Sequence, residues 1–152
     1  MRTLGQGLAI AVLLAATGCG PAEDVGRAQM GVRLALDPAL VNSLTVFVLG
    51  AGGGSCTDIY DGSVDPFRPG ADLVAMETVP LDGTSATVHI GTIPTGDRLF
   101  YVEAYASADG TGSSAGVLGT GCARAKVKAG KTASVEISSV CKRDVTGLCV
   151  DG

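Results

Sequence analysis

The chain has no tryptophan and a single histidine, His89, and its whole aromatic content is three phenylalanines and three tyrosines. So few rings leave sugar stacking poorly supplied. His89 alternates between Val88 and Ile90 on a strand-like pattern and is read as an exposed residue. Charged residues make up 17% of the chain, with 11 basic against 15 acidic side chains and a net charge of −4. That balance disfavours nucleic acid, whose binding relies on clustered lysine and arginine. Long hydrophobic runs are also missing. Leu8 to Ala16 is an unbroken apolar run of nine residues, and a helical span of a bilayer needs about 20. No segment after residue 30 carries a helical period of useful length. Nowhere do a nucleophile, a base and an acid converge in a readable pattern, so an enzyme is not expected.

What is present begins with a basic start, Met1-Arg2-Thr3, followed by the short apolar run and the small residues Ala16-Thr17-Gly18. This is the pattern of a secretory signal. Cys19 follows at once, and the segment resembles the lipobox of bacterial lipoproteins, with Ala16 where leucine is usual. The resemblance implies a signal peptide over 1–18, a diacylated Cys19 as the new N-terminus and a flexible tether over 19–29. Stable anchoring takes at least two hydrophobic chains, and lipoproteins of this type carry two or three on the one cysteine. Gly20 stands where aspartate retains such proteins in the inner membrane of enteric bacteria, so the expected location is the outer membrane of the cell envelope. An ordinary cleaved signal and a soluble secreted protein is the alternative. Removing 18 of the 152 residues leaves 134 with a charge of about −5, one domain's worth.

Four further cysteines, Cys56, Cys122, Cys141 and Cys149, are an even number in an exported chain and read as two disulfides with three possible pairings. Cys141–Cys149 is favoured as a clasp on a tail over 141–152, and Cys56–Cys122 as a tie between a long loop and a late strand. No two of these cysteines have the C-x(2–4)-C spacing of a zinc site.

Between residues 30 and 140 the pattern is mostly period two, as in half-buried strands. Met30, Val32, Leu34 and Leu36 share a face, and Asp37-Pro38 ends that strand. Leu44 to Leu49 reads as a second, apolar strand. A Gly- and Asp-rich loop covers Gly50 to Gly70, and Leu73 to Val79 reads as a less regular third strand. Ala86-Val88-Ile90, Phe100-Val102-Ala104-Ala106 and Ala133-Val135-Ile137 alternate with polar or aromatic neighbours. Val117 to Val127 is long and glycine-bearing, which predicts a bulge or bend. The expected fold is all-β, an Ig-like or transthyretin-like sandwich of about seven strands.

The segment Ile93-Pro94-Thr95-Gly96-Asp97-Arg98-Leu99-Phe100-Tyr101-Val102-Glu103-Ala104 resembles the Pro-x-Gly hairpin of transthyretin-like modules. These include carboxypeptidase regulatory-like and Cna B-type domains of cell-envelope proteins. The turn Lys128-Ala129-Gly130-Lys131-Thr132 before a last strand is similar to their ending, while Arg98 departs from the aromatic residue usual there. The likeness covers about residues 85–139 and implies architecture rather than ligand.

Several motifs admit a functional and a plain reading. Val46 to Ser55, a strand entering G-x-G with Asp72 about 20 residues on, has the outline of a dinucleotide fingerprint. Gly62, Pro66 and Pro69 leave no helix expected after it, so a glycine-rich loop is the reading. Gly112-Ser113-Ser114-Ala115-Gly116 fits G-x-S-x-G, but the only histidine lies upstream of Ser114. Gly130-Lys131-Thr132 is a turn rather than a P-loop. Asp58, Asp61 and Asp65, with Asp72, are weak calcium candidates that more often make turn hydrogen bonds. Arg124, Lys126 and Lys128 share one strand face, either solvated or touching a small anion such as a lipid headgroup or polysaccharide. Tyr101 and Tyr105 flank Glu103 as an outer stripe, a tyrosine corner or a second packed layer. Together these readings give a non-catalytic, cofactor-free envelope lipoprotein, a monomer. It would bind an envelope protein or polysaccharide through the Gly50–Gly70 loop or serve as a structural spacer.

Overall fold

The computed structural model describes residues 24–68, 70–81, 83, 85–108, 110 and 116–141. Cys19, Ser114 and Cys149 lie outside them, and with them the lipobox, the G-x-S-x-G segment and the Cys141–Cys149 pairing. Among the described residues are seven strands in two sheets, an all-β sandwich. The strands are β1 (Val25–Leu34), β2 (Ser43–Leu49), β3 (Leu73–Pro80), β4 (Ser85–Pro94), β5 (Gly96–Tyr105), β6 (Val117–Val127) and β7 (Thr132–Cys141). One helix, α1 (Cys56–Tyr60), lies between β2 and β3.

The hydrogen-bonded order is β3-β2-β5-β6-β7-β1-β4. β7 belongs to both sheets. Its residues from Thr132 to Ser139 run parallel to β1, and its last two, Val140 and Cys141, pair antiparallel with β6. The glycines expected to bend β6 allow this junction. Gly121 sits opposite Val102, and a Cβ on it would fall 2.4 Å from Ile137 Cγ2, so only glycine lets β7 approach so closely. The expected irregularity of β6 is a register shift opposite Ala104 and Tyr105.

The first strand starts earlier than the sequence suggested. Residues 25–29, assigned to the tether, are strand, because Ala28 is buried and pairs with Ile90 on β4 and Ala133 on β7. Small and polar residues hid the alternation there. Arg27 N–H also donates to Lys131 O, and Gly130 N–H to Val25 O, so the Lys128–Lys131 turn holds the start of β1.

The core between the sheets follows the period-two reading. Met30 and Val32 of β1, Val88 and Ile90 of β4, Phe100 and Val102 of β5, and Val135 and Ile137 of β7 all bury into it. Each such side chain contributes roughly 1.5–3 kcal/mol by leaving water. Pro94, Thr95 and Gly96 turn β4 into β5 as expected. Arg98 turns back onto this turn, donating to the carbonyl oxygens of Pro94 at 3.0 Å, Asp97 at 2.9 Å and Thr95 at 2.6 Å. A guanidinium with five fixed donors thus satisfies turn acceptors that an aromatic ring could not.

The two middle strands of the larger sheet are buried on both faces. All seven residues of β2 are buried, as are Leu99 to Tyr105 of β5. Leu44, Val46, Val48, Phe100, Val102 and Ala104 enter the core between the sheets. Phe47, Leu49, Leu99 and Tyr101 point the other way and form a second apolar cluster with Ile59 and Ala71. What covers that outer face is the segment between β2 and β3.

Candidate functional site

The covering segment, residues 50–72, is a strap built from local bonds. Asp72 closes its neck: Gly50 N–H donates to Asp72 O at 2.8 Å, and Gly52 N–H to Asp72 Oδ2 at 3.1 Å. Asp72 itself takes a positive φ of 54°, which aspartate tolerates better than most residues. A side chain at Gly50 would put its Cβ 2.1 Å from Asp72 Oδ2. The acid that suited a dinucleotide fingerprint therefore works as a loop clasp.

A short helix does follow the glycines, contrary to the sequence expectation. Ser55 is its N-cap: its hydroxyl accepts from Asp58 N–H at 3.2 Å, while Asp58 Oδ2 accepts from Ser55 N–H at 2.6 Å. This reciprocal capping box with aspartate as its third residue nucleates one turn where apolar periodicity is absent. Five residues in a strap flanked by antiparallel strands do not make the parallel strand–helix–strand unit that a dinucleotide site requires.

The strap is held to the sheet at two further points. Cys56 and Cys122 form a disulfide across 66 residues, with Cα atoms 5.7 Å apart, as the sequence predicted. Cys122 faces outward beside Tyr101 in the β5–β6 register. Arg124, two residues along β6, donates to Gly54 O, so the first member of the basic stripe is committed to the strap. Lys126 and Lys128 remain on exposed surface.

The three calcium candidates are not brought together. Asp58 is spent on the capping box. Asp61 accepts from Ser63 N–H at 2.9 Å, and its hydrogen bonds with Ser63 hold its carboxyl below the usual range. Asp65 accepts from Phe67 N–H at 3.0 Å and pairs with Arg68 at 3.2 Å. No group of three His, Cys, Asp or Glu side chains poised for a metal occurs among the described residues. His89 is exposed on β4, opposite Gln29 of β1, far in the sheet order from the strapped face.

Between the strap and β5 lies a cleft of about 450 Å³. Its wall is Ile59 and the run Gly62 to Arg68, and its floor is Tyr101, Glu103 and Tyr105 with Val117 of β6. Phe67 stands at the wall 62% exposed, with its ring edge-on to Phe47 at 4.8 Å. Glu103 is 7% exposed. Both tyrosine hydroxyls donate to its carboxylate, Tyr101 to Oε1 at 3.0 Å and Tyr105 to Oε2. Burial chiefly, reinforced by the charge of Glu103 and its hydrogen bond, pushes the Tyr101 hydroxyl far above its ordinary value. Tyr105 is shifted the same way, first by burial, then by its hydrogen bond to Glu103, then by that residue's charge. Thr45 and Thr120 flank Glu103 in the register, and Thr45 is bonded sideways to Thr78 at 3.0 Å.

Of the sequence readings for Tyr101 and Tyr105, the second packed layer is the one found. Sequence reasoning placed the candidate contact on the loop alone and missed Glu103 as a floor residue, together with Phe67 and Val117. One signal was available. A run such as Leu44 to Leu49 with nearly no polar alternation marks a strand buried on both faces, so some part of the chain had to cover its far side. Compared with known proteins, the chain matches no family model and no curated protein.

Proposed function

We propose that this protein is a non-catalytic binding module, carried on the cell envelope by lipid at Cys19, whose ligand enters the cleft between the strap and β5. The observation that carries the binding half is the cleft itself. A spacer has no need of a strap fastened by a disulfide, a capping box, the Asp72 clasp and Arg124, nor of a buried polar triad beneath it. A pre-formed concave site with an apolar lining and a few convergent polar groups is what small-ligand recognition uses. The anchoring half rests on the Ala16-Thr17-Gly18-Cys19 resemblance, and the envelope setting also on the likeness of residues 85–139 to transthyretin-like modules. The strap takes the role given to the Gly50–Gly70 loop, but as one wall of a site rather than as a free contact surface.

Two measurements test this reading. The intact mass of membrane-extracted protein, beside a Cys19→Ala control, should begin at Cys19 and include acyl chains. An unlipidated mass removes the anchor. For binding, Ser63→Trp places a large ring on the exposed cleft wall without touching the core. In-cell crosslinking of wild type should yield adducts that this variant loses, and identical adducts from both would refute the cleft as the contact.

A further inference from the structure

We propose that the cleft takes a ligand bearing a positively charged amine on an apolar body, with the ammonium directed at Glu103. This rests on the reading of the cleft as a binding site and adds the chemical class. Glu103 is more than nine-tenths buried, and a buried carboxylate normally has a cation beside it. Among the described residues no lysine, arginine or histidine pairs with Glu103; the one ion pair is Arg68 with Asp65. Its two hydrogen-bond partners among the described residues are neutral phenols. A carboxylate offers about four acceptor positions, so two hydroxyls leave room for further donors.

The surroundings suit an organic cation. Tyr101 and Tyr105 present rings as well as hydroxyls, and Phe67 adds a third ring at the wall. Aromatic faces attract ammonium groups, more strongly where water is excluded. Ile59, Val64, Pro66 and Val117 give the apolar body its contact. The cleft's lining charges are Asp65, Arg68 and Glu103, two acids to one base, with Arg68 already held by Asp65. An anion would meet the Glu103 charge at the floor. A neutral ligand would bring Glu103 no cation.

The protein reports on this site by itself. With no tryptophan, its ultraviolet emission comes from Tyr60, Tyr101 and Tyr105, and two of these are bonded to Glu103. A phenol bonded to a carboxylate is quenched by proton transfer in the excited state, so an ammonium that competes for Glu103 should raise the emission. The experiment titrates the full mature protein with benzylammonium, its neutral isostere benzyl alcohol and the anion benzoate. A capped lysine amide is a further arm, separating a free amine from a partner's lysine side chain as the source. Saturable brightening by benzylammonium or the lysine amide, at least tenfold tighter than by benzyl alcohol, is expected. Glu103→Gln should abolish that preference. If this variant does not fold, the wild-type ratio of amine to alcohol still decides. Equal binding of benzylammonium and benzyl alcohol overturns the cation assignment but leaves a binding cleft. No binding by either amine, in protein with the Cys56–Cys122 bridge intact, also overturns the assignment, while loss of the crosslinking difference with Ser63→Trp separately defeats the binding module.

Discussion

Replacing both Cys56 and Cys122 by serine removes the covalent tie of the strap and leaves every hydrogen bond described for it in place. The bridge closes a loop of 66 residues, and opening such a loop returns chain entropy to the unfolded state worth about 4 kcal/mol at 25 °C. Against a total of about 5–15 kcal/mol for a domain of this kind, that is a large share. With a urea dependence of about 2 kcal/mol per molar, the unfolding midpoint should fall by about 2 M. The assay is equilibrium urea unfolding followed in parallel by far-ultraviolet circular dichroism and tyrosine emission. In the wild type the two signals should move together. In the variant, tyrosine emission should change first, because Tyr60 lies in the strap's helix and Tyr101 and Tyr105 lie under it. Local opening of a strap costs less than unfolding of the sheets. A midpoint shift under about 0.5 M at unchanged slope would refute the reasoning, since it would mean the unfolded chain keeps residues 56 and 122 close without the bridge.

Three other outcomes are expected. Gly50→Ala forces a methyl against the Asp72 carboxylate and should lose about 1–3 kcal/mol, with restoration by Gly50→Ala/Asp72→Gly; a neutral Gly50→Ala would show that the neck is not clasped as described. Phe100→Ala, emptying a fully buried position in the core between the sheets, should cost about 3–5 kcal/mol, measured by the same urea titration. The tyrosines set an alkaline limit. In the folded state Tyr101 and Tyr105 hold their protons above the ordinary value of 10.0, so above about pH 10 the unfolded chain binds fewer protons and stability falls as pH rises. Each contributes up to about 1.4 kcal/mol per pH unit there, and Tyr101→Phe/Tyr105→Phe should flatten the slope between pH 10 and 11 relative to wild type.

Much of this fold is legible in the residues because side-chain period reports burial directly when one face of a strand is wet. Val88-His89-Ile90 and Val135-Glu136-Ile137 give themselves away for that reason, and so does the Pro94-Thr95-Gly96 turn. The strand over residues 25–29 does not, because Gly26 and Ala28 carry too little apolar surface to write a pattern. The site was half legible. Tyr101, Glu103 and Tyr105 could be placed on one face by counting, but whether that face met water depended on where a distant strap came to rest. The run Leu44 to Leu49, with nearly no polar alternation, and the pairing of Cys56 with Cys122 were the hints of it in the sequence. The helix turn in the strap was missed since its cause is a four-residue exchange of hydrogen bonds between Ser55 and Asp58 rather than a hydrophobic stripe.

The strand β7 carries a consequence for how the molecule is made. β7 lies parallel to β1, with Arg27 opposite Thr132 about 105 residues later, and its final residues also complete the edge of β6. Neither sheet is whole until β7 docks, so the order of synthesis delivers the closing piece of both sheets late. Contacts so distant along the chain slow folding to milliseconds or seconds. Until then the strand edges of β1 and β6 that β7 pairs with stay open. On the export route proposed above, that delay would keep the chain open until β7 is through.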